Sequence, residues 1–435
     1  MSKLHSTTMA ISLMMALAAQ ALGDDWVRFR GPNGSGISAE AVPVEFGPGK
    51  NIAWETDLPG RGVSSPIVVG DKVFVTCYSG YGMTAEDPGE LEDLERHLVC
   101  IDRGTGDVLW TAVEPAQMPE DPYTGAGVPA HGYASHTPTT DGERIYVFYG
   151  KSGVFAYDFE GNRLWHTMVG QESGPRRWGS SSSPILYGDT LIVMASDESE
   201  TLYGLDTTTG DVQWKSEAEG YAGVWGTPVL AEGRKGTEIL VAVPDETWAV
   251  NADTGKFSWY APGNGGGSHS LVLGDDVAYS VGGSRGGAAA VAVKLGGKGE
   301  VEDVIWESRA SSRFATPILF DGYIFSVANN QVRCFNAETG EEVYREKLPE
   351  KFASESTRSR GRFGNQSYAS PVIANGNLYI TDVSGTVYVV AAKPELEVLA
   401  KNNLTADESG FHATPALSDG QLFIRSHAKL YCIAE

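Results

Sequence analysis

The sequence predicts an all-β fold, an eight-bladed β-propeller of four-stranded antiparallel blades. Three observations predict it. An eleven-residue pattern recurs, an opening Ser/Thr-Pro step recurs, and the final copy lacks one strand that the first residues can supply. The pattern reads "CIDRGTGDVLW" from Cys100 to Trp110 and "GLDTTTGDVQW" from Gly204 to Trp214. It returns as "AVNADTGKFSW" from Ala249 to Trp259 and "CFNAETGEEVY" from Cys334 to Tyr344. Self-similarity at such a period marks a repeat architecture.

Each unit opens on a Ser/Thr step followed by an apolar run and a Gly/Asp turn. The openings are "SPIVVGDKVFV" at Ser65, "TPTTDGERIYV" at Thr137, "SPILYGDTLIV" at Ser183 and "TPVLAEGRKGTEILV" at Thr227. "HSLVLGDDVAY" at His269, "TPILFDGYIFS" at Thr316, "SPVIANGNLYI" at Ser370 and "TPALSDGQLFI" at Thr414 follow. Their spacing is 42 to 54 residues except for the first interval of 72, which holds the insertions Thr84 to Arg96 and Glu114 to Ala130. Four strands fit each unit: A from the Ser/Thr step, B after the turn, C into the Asp/Asn-x-x-Thr-Gly turn, and D at the Trp. That is the strand count of a propeller blade.

In the C–D turn the Asp can bond turn amides and the Gly can take positive φ. The Trp on strand D can fill the wedge between blades with its broad ring. Trp110, Trp165, Trp214, Trp259 and Trp306 hold that place, with Tyr344 and Leu399 as weaker copies. This reading is structural, with no redox role for the rings. The chain stops after the last strand C, at "KLYCIAE", whereas "NIAWETDLP" offers a Trp54 strand with no partners of its own. Trp54 therefore completes the eighth blade, which removes the open edges of the ring.

The expected divisions are a secretory signal over 1–23, an irregular leader over 24–50 and one propeller over 51–435. Lys3, a short apolar run and Ala21-Leu22-Gly23 carry the signal reading. The run is too short to span a bilayer, and no later apolar run reaches that length. A soluble protein, periplasmic or extracellular, is expected. The formal net charge is −23, which repels nucleic acid and anionic lipid.

Cys77, Cys100, Cys334 and Cys432 show no zinc spacing. Export permits a Cys77–Cys100 disulfide. Three of the four nevertheless fall at one repeat position where other copies have Ala or Gly, which favours small buried residues.

The repeat, over nearly all of 51–435, resembles the tryptophan-docking repeat of the PQQ (pyrroloquinoline quinone) propeller superfamily. One branch comprises quinoprotein alcohol and glucose dehydrogenases. Another comprises non-catalytic propellers, including the lipoprotein of the outer-membrane β-barrel assembly machinery. "DWVRFRGPNGSGIS" with "LPGRGVSSPIV" is most similar to secreted propellers of planctomycete type. For the dehydrogenase branch the resemblance implies PQQ held between a Trp and a disulfide of adjacent cysteines, with Ca²⁺ and a catalytic Asp. This chain has no adjacent cysteine pair.

Fold does not decide between the branches; the site does. The segments entering the A strands converge on the axis of a propeller. They hold no Asp or Glu but several Arg and His, so a cationic axial funnel is expected. Its candidate ligand-binding residues are Arg61, His136, Trp178, Trp225, His269, Arg313, Tyr368 and His412. Arg and His suit an anionic small molecule or glycan, and they equally suit loop carbonyls and neighbouring acids. Ca²⁺ wants carboxylates, which stand only further out in the B–C loops, as in Asp197, Glu198 and Asp382. The expected function is a non-catalytic exported binding or scaffolding propeller, with no metal and an unidentified protein partner. The alternative is a dehydrogenase dependent on PQQ and Ca²⁺.

Overall fold

The computed structural model describes residues 25–84, 86–125, 127–263, 268–282, 290–302, 304–309, 312, 314–328, 330–349 and 368–435. Central strands of each repeat are apolar on both faces, so they form where both faces are covered. In blade one, Lys72–Ser79 is buried at every position but its ends, whereas the outer Val108–Pro115 is exposed or half-buried throughout. A sheet sandwiched between two others accounts for both patterns.

Eight sheets result, each built on four strands; in seven of them these four follow sequence order from hub to rim, and two sheets gain a fifth strand at an edge. Blade one runs Ile67–Val69, Lys72–Ser79, Glu95–Asp102, Val108–Pro115. Its core is shared with blade two, in a cluster joining Phe74 and Leu98 to Val147 and Phe155. The eighth sheet consists of Ala416–Ser418, Gln421–Arg425, Lys429–Ile433 and the N-terminal Ile52–Asp57. Trp54 lies opposite Cys432 in that antiparallel pair, so both regions of chain close the ring together.

The C–D turns follow from their residues. Asp102 Oδ1 accepts from the amides of Gly104 and Thr105 at 2.9 and 2.8 Å. Gly106 sits at φ 80°, and a Cβ there would lie 2.7 Å from the ring of Trp54. A larger residue would meet both penalties. Across that contact Trp54 Nε1 donates to Arg103 O at 2.8 Å. Trp110, Trp165 and Trp306 reach carbonyls of the following blade likewise, at 2.9, 3.0 and 2.9 Å. Trp214 covers Gly255, and its Nε1 finds no acceptor among the described residues. Trp259 turns to Glu238 of its own blade at 2.7 Å, and the expanded turn of blade five lays Gly299–Glu300 beside it as a fifth strand. Tyr344 is buried, with its hydroxyl unpartnered among the described residues.

Residues 25–38 of the leader cross the hub, and the following stretch reaches the outer strand of blade seven, where Phe46 N donates to Asn402. Trp26 exchanges backbone bonds with Val68 of blade one, and Ile37 pairs in parallel with Ile373 of blade seven. Between them Arg30, fully buried, donates to the carbonyls of Gly34, Ser35, Thr316, Pro317 and Pro371. Burial without a counter-ion pulls its pKa down to about 9. The leader plugs the axis beneath the mouth. The four cysteines are free and buried, and Cys77 Sγ accepts from Arg425 at 3.3 Å.

Candidate functional site

The Ser/Thr step that opens each blade has a structural purpose. Ser65 N donates to Thr137 Oγ1 at 3.0 Å, and Thr137 N to Ser183 Oγ at 2.9 Å. The relay continues through Thr227, Ser270, Thr316 and Ser370 to Thr414, each blade's amide bonding the next blade's hydroxyl. A belt of side-chain hydroxyls therefore stitches the inner strands around the axis.

Above the leader this belt lines a cup of about 170 Å³. Phe29 of the leader forms part of its wall, as do Trp178, Trp225, Phe314, Tyr368, His131 and His412. Trp178 and Trp225 stack at 5.3 Å, and Phe314 and Tyr368 at 4.7 Å. Arg176 lies over both Trp rings, at 5.1 and 5.5 Å from their centroids. Among the described residues no Lys, Arg, Asp or Glu lines the cup. A broader groove of about 1330 Å³ lies between the A–B turns of blades four to six, on the opposite face.

The blade-one insertions fold into the rim. Tyr78, Tyr81, Tyr123 and Tyr133 form a cluster with Leu94 and Val128. His131 Nε2 donates to Trp178 O at 2.6 Å, so its Nδ1 accepts from Ser135 at 2.6 Å. Burial lowers its pKa and keeps the ring neutral.

Behind the His131–Trp178 wall lies a second, smaller chamber of about 30 Å³. Arg96 pairs with Glu120, and Lys151 with Asp121 at 3.0 Å, all with side chains under a tenth exposed. Ser180 donates to Glu198 Oε1 and stands 3.1 Å from His136 Nε2. Desolvation raises Glu198 to about 8 and Asp197 to about 6, and lowers His136 to about 3. Lys151 and Arg176 pull Asp197 the other way, more weakly.

Among the described residues the lining differs from the expected cationic funnel. Trp178, Trp225, Tyr368 and His412 line the cup, but Arg61, His136 and His269 do not. His136 faces the chamber instead. His269 is buried beside Ser280 at 3.2 Å, with its pKa lowered to about 4. Arg61 is held in the blade-one wall, its backbone exchanging bonds with Tyr78. Arg313 lies outside the described residues. Burial explains the misplacement: a polar residue beside the axis can point back between blades, where a hydroxyl or carbonyl takes it. Two contributors went unanticipated. Phe29 carried no signal within an aperiodic leader, while the hydroxyl belt was written in every Ser/Thr opening.

Eight four-stranded blades around a plugged axis define a β-propeller. The chain belongs to the PQQ-like propeller family described as outer membrane protein assembly factor BamB, which matches residues 91–220 and 192–348. BamB from Moraxella catarrhalis is similar in structure, with a TM-score of 0.57 at 14% identity over 88% of this chain and 98% of that one. Quinohemoprotein alcohol dehydrogenase from Comamonas testosteroni gives 0.61 at 12% identity over 94% and 80%. The computationally designed Ika8 protein gives 0.55 at 12% over 87% and 98%. At such identities the likeness is one of fold alone. No curated protein sequence matches the chain.

The residues of the cup do not fit PQQ and Ca²⁺ as the dehydrogenase branch holds them. All four cysteines are single and buried, and Asp197 and Glu198 stand behind the Trp178 wall, outside the described cup lining.

Proposed function

We propose that this chain is an exported, non-catalytic binding propeller that receives its ligand or a partner's protruding group in the axial cup. One observation carries the reading. The cup is plugged beneath and walled by hydroxyls and aromatic faces, with no carboxylate or cysteine among its described lining residues. Concave, largely apolar sites with a few converging polar groups are where ligands bind. Export rests on the signal-like Met1 to Gly23. A role in contacting other proteins at a bacterial envelope is in keeping with the assembly-factor description of the matching family.

The competing reading is a quinone-dependent dehydrogenase, and the fold shared with the Comamonas enzyme favours it. Pure protein supplied with PQQ and Ca²⁺ separates the two. Dye reduction and the quinone absorbance are followed together. Neither turnover nor stoichiometric quinone uptake is expected, and turnover would overturn the binding reading.

A further inference from the structure

The walls of the cup narrow what it receives, an inference that rests on the binding reading above. The belt residues are between 1% and 5% exposed. Seven of the eight hydroxyls accept the neighbouring blade's amide, yet none donates its hydrogen to an acceptor among the described residues. Eight buried donors thus surround one small space with their hydrogens unspent. Such donors need water or a ligand, since leaving each unmet costs about 1–3 kcal/mol.

We propose that the cup binds one neutral saccharide ring, free or at the end of a glycan. A hydroxyl donates one bond and accepts others, so the belt matches a ligand whose own hydroxyls do both. An anion would find donors but no Lys or Arg in the described lining to offset its burial. The chain's net charge of −23 also opposes anions. A cation would find no carboxylate there. Trp178, Trp225, Phe314 and Tyr368 give the cup aromatic walls, the kind of lining against which the C–H face of a sugar ring packs. The cup of about 170 Å³ suits one ring better than a drug-sized ligand.

The test titrates the full chain with D-glucose, N-acetylglucosamine and their β-linked tetramers, read by tryptophan fluorescence and saturation-transfer NMR. Saturable binding of at least one probe is expected. A tetramer binding roughly tenfold tighter than its monomer marks a glycan end, and equal affinity marks the free sugar. Thr227→Val should weaken binding roughly tenfold while Thr227→Ser leaves it within about twofold. Should Thr227→Val fail to fold, Trp225→Ala carries the same expectation. Binding unchanged by Trp225→Ala overturns the site. Silence toward all four sugars overturns the ligand class. If citrate then protects the cup, the binding reading stands; if citrate also fails, both fall.

Discussion

The axial cup and the chamber behind it share His131, Ser135 and Trp178 as a common wall, yet their chemistry is opposite. Among the described residues the cup is lined by no Lys, Arg, Asp or Glu, and its belt hydroxyls donate to no acceptor. The chamber is charged, and most of its groups already face one another. Buried ions are tolerable only when paired and bonded, so this propeller encloses its axial charges between blades one to three. The hub is left to hydroxyls and rings. On the proposed binding role, one cavity takes something in and the other holds the wall in front of it.

Breaking the chamber should have the largest effect. Arg96, 2% exposed, also reaches Ser152 Oγ at 2.9 Å besides Glu120. Arg96→Met strands a buried carboxylate and should cost about 3–5 kcal/mol in urea unfolding. Adding Glu120→Leu should restore much of it. A single variant as stable as the parent would mean that the chamber is hydrated enough to tolerate a lone charge, and the contrast with the cup would dissolve.

Proton linkage should come next. Glu198 is raised to about 8, so the folded protein keeps a proton that the unfolded chain loses near 4.5. Stability therefore falls as pH rises from about 4.5 to 8. The lowered His136 and His269 act in the opposite sense, but only below 6.5. Between pH 6.5 and 8 the Glu198 effect stands alone, and about 2 kcal/mol should be lost. Glu198→Gln should flatten that slope in unfolding midpoints measured across the window. Nothing in the described cup lining predicts such a slope.

Beneath the cup Arg30 is a smaller test. Among the described residues it has no counter-ion, and five carbonyls hold it. Arg30→Met should cost about 1.5–3 kcal/mol, the worth of bonds to a charged donor. It should also weaken any ligand of the cup by loosening Phe29. A ligand affinity unchanged in this variant would separate the leader from the site.

These contrasts also explain what was legible in the sequence. The blades could be read because Gly106, Asp102 and Trp54 each obey a local rule that the turn and the wedge impose. Ring closure was legible because a strand without partners at Trp54 matched a sheet missing one at Cys432. The orientation of single polar side chains near the axis was not. His136 and His269 stand in mouth segments as expected, but whether a ring points to the axis or between blades depends on Ser180 and Ser280, which lie 44 and 11 residues away. Asp197 and Glu198 looked peripheral as loop acids, and only tertiary packing carries them behind Trp178.

The smallest expected difference compares two serines. Ser180→Ala in the chamber leaves Glu198 Oε1 and His136 Nε2 each without the hydroxyl between them. Two polar atoms are orphaned, one on a carboxyl group already short of partners, and a cost of about 1–3 kcal/mol follows. Ser370→Ala in the belt orphans one group, the Thr316 amide, which donates to that hydroxyl at 2.9 Å. A cost of about 0.5–1.5 kcal/mol is expected there, because a water in the cup can replace the lost oxygen and none of the belt's other hydroxyls depends on it. Urea midpoints of the two variants, measured side by side at one pH, give the order. If Ser370→Ala proved the more damaging, the belt would be a stability device in the first place, and its inward hydrogens would no longer argue for a ligand.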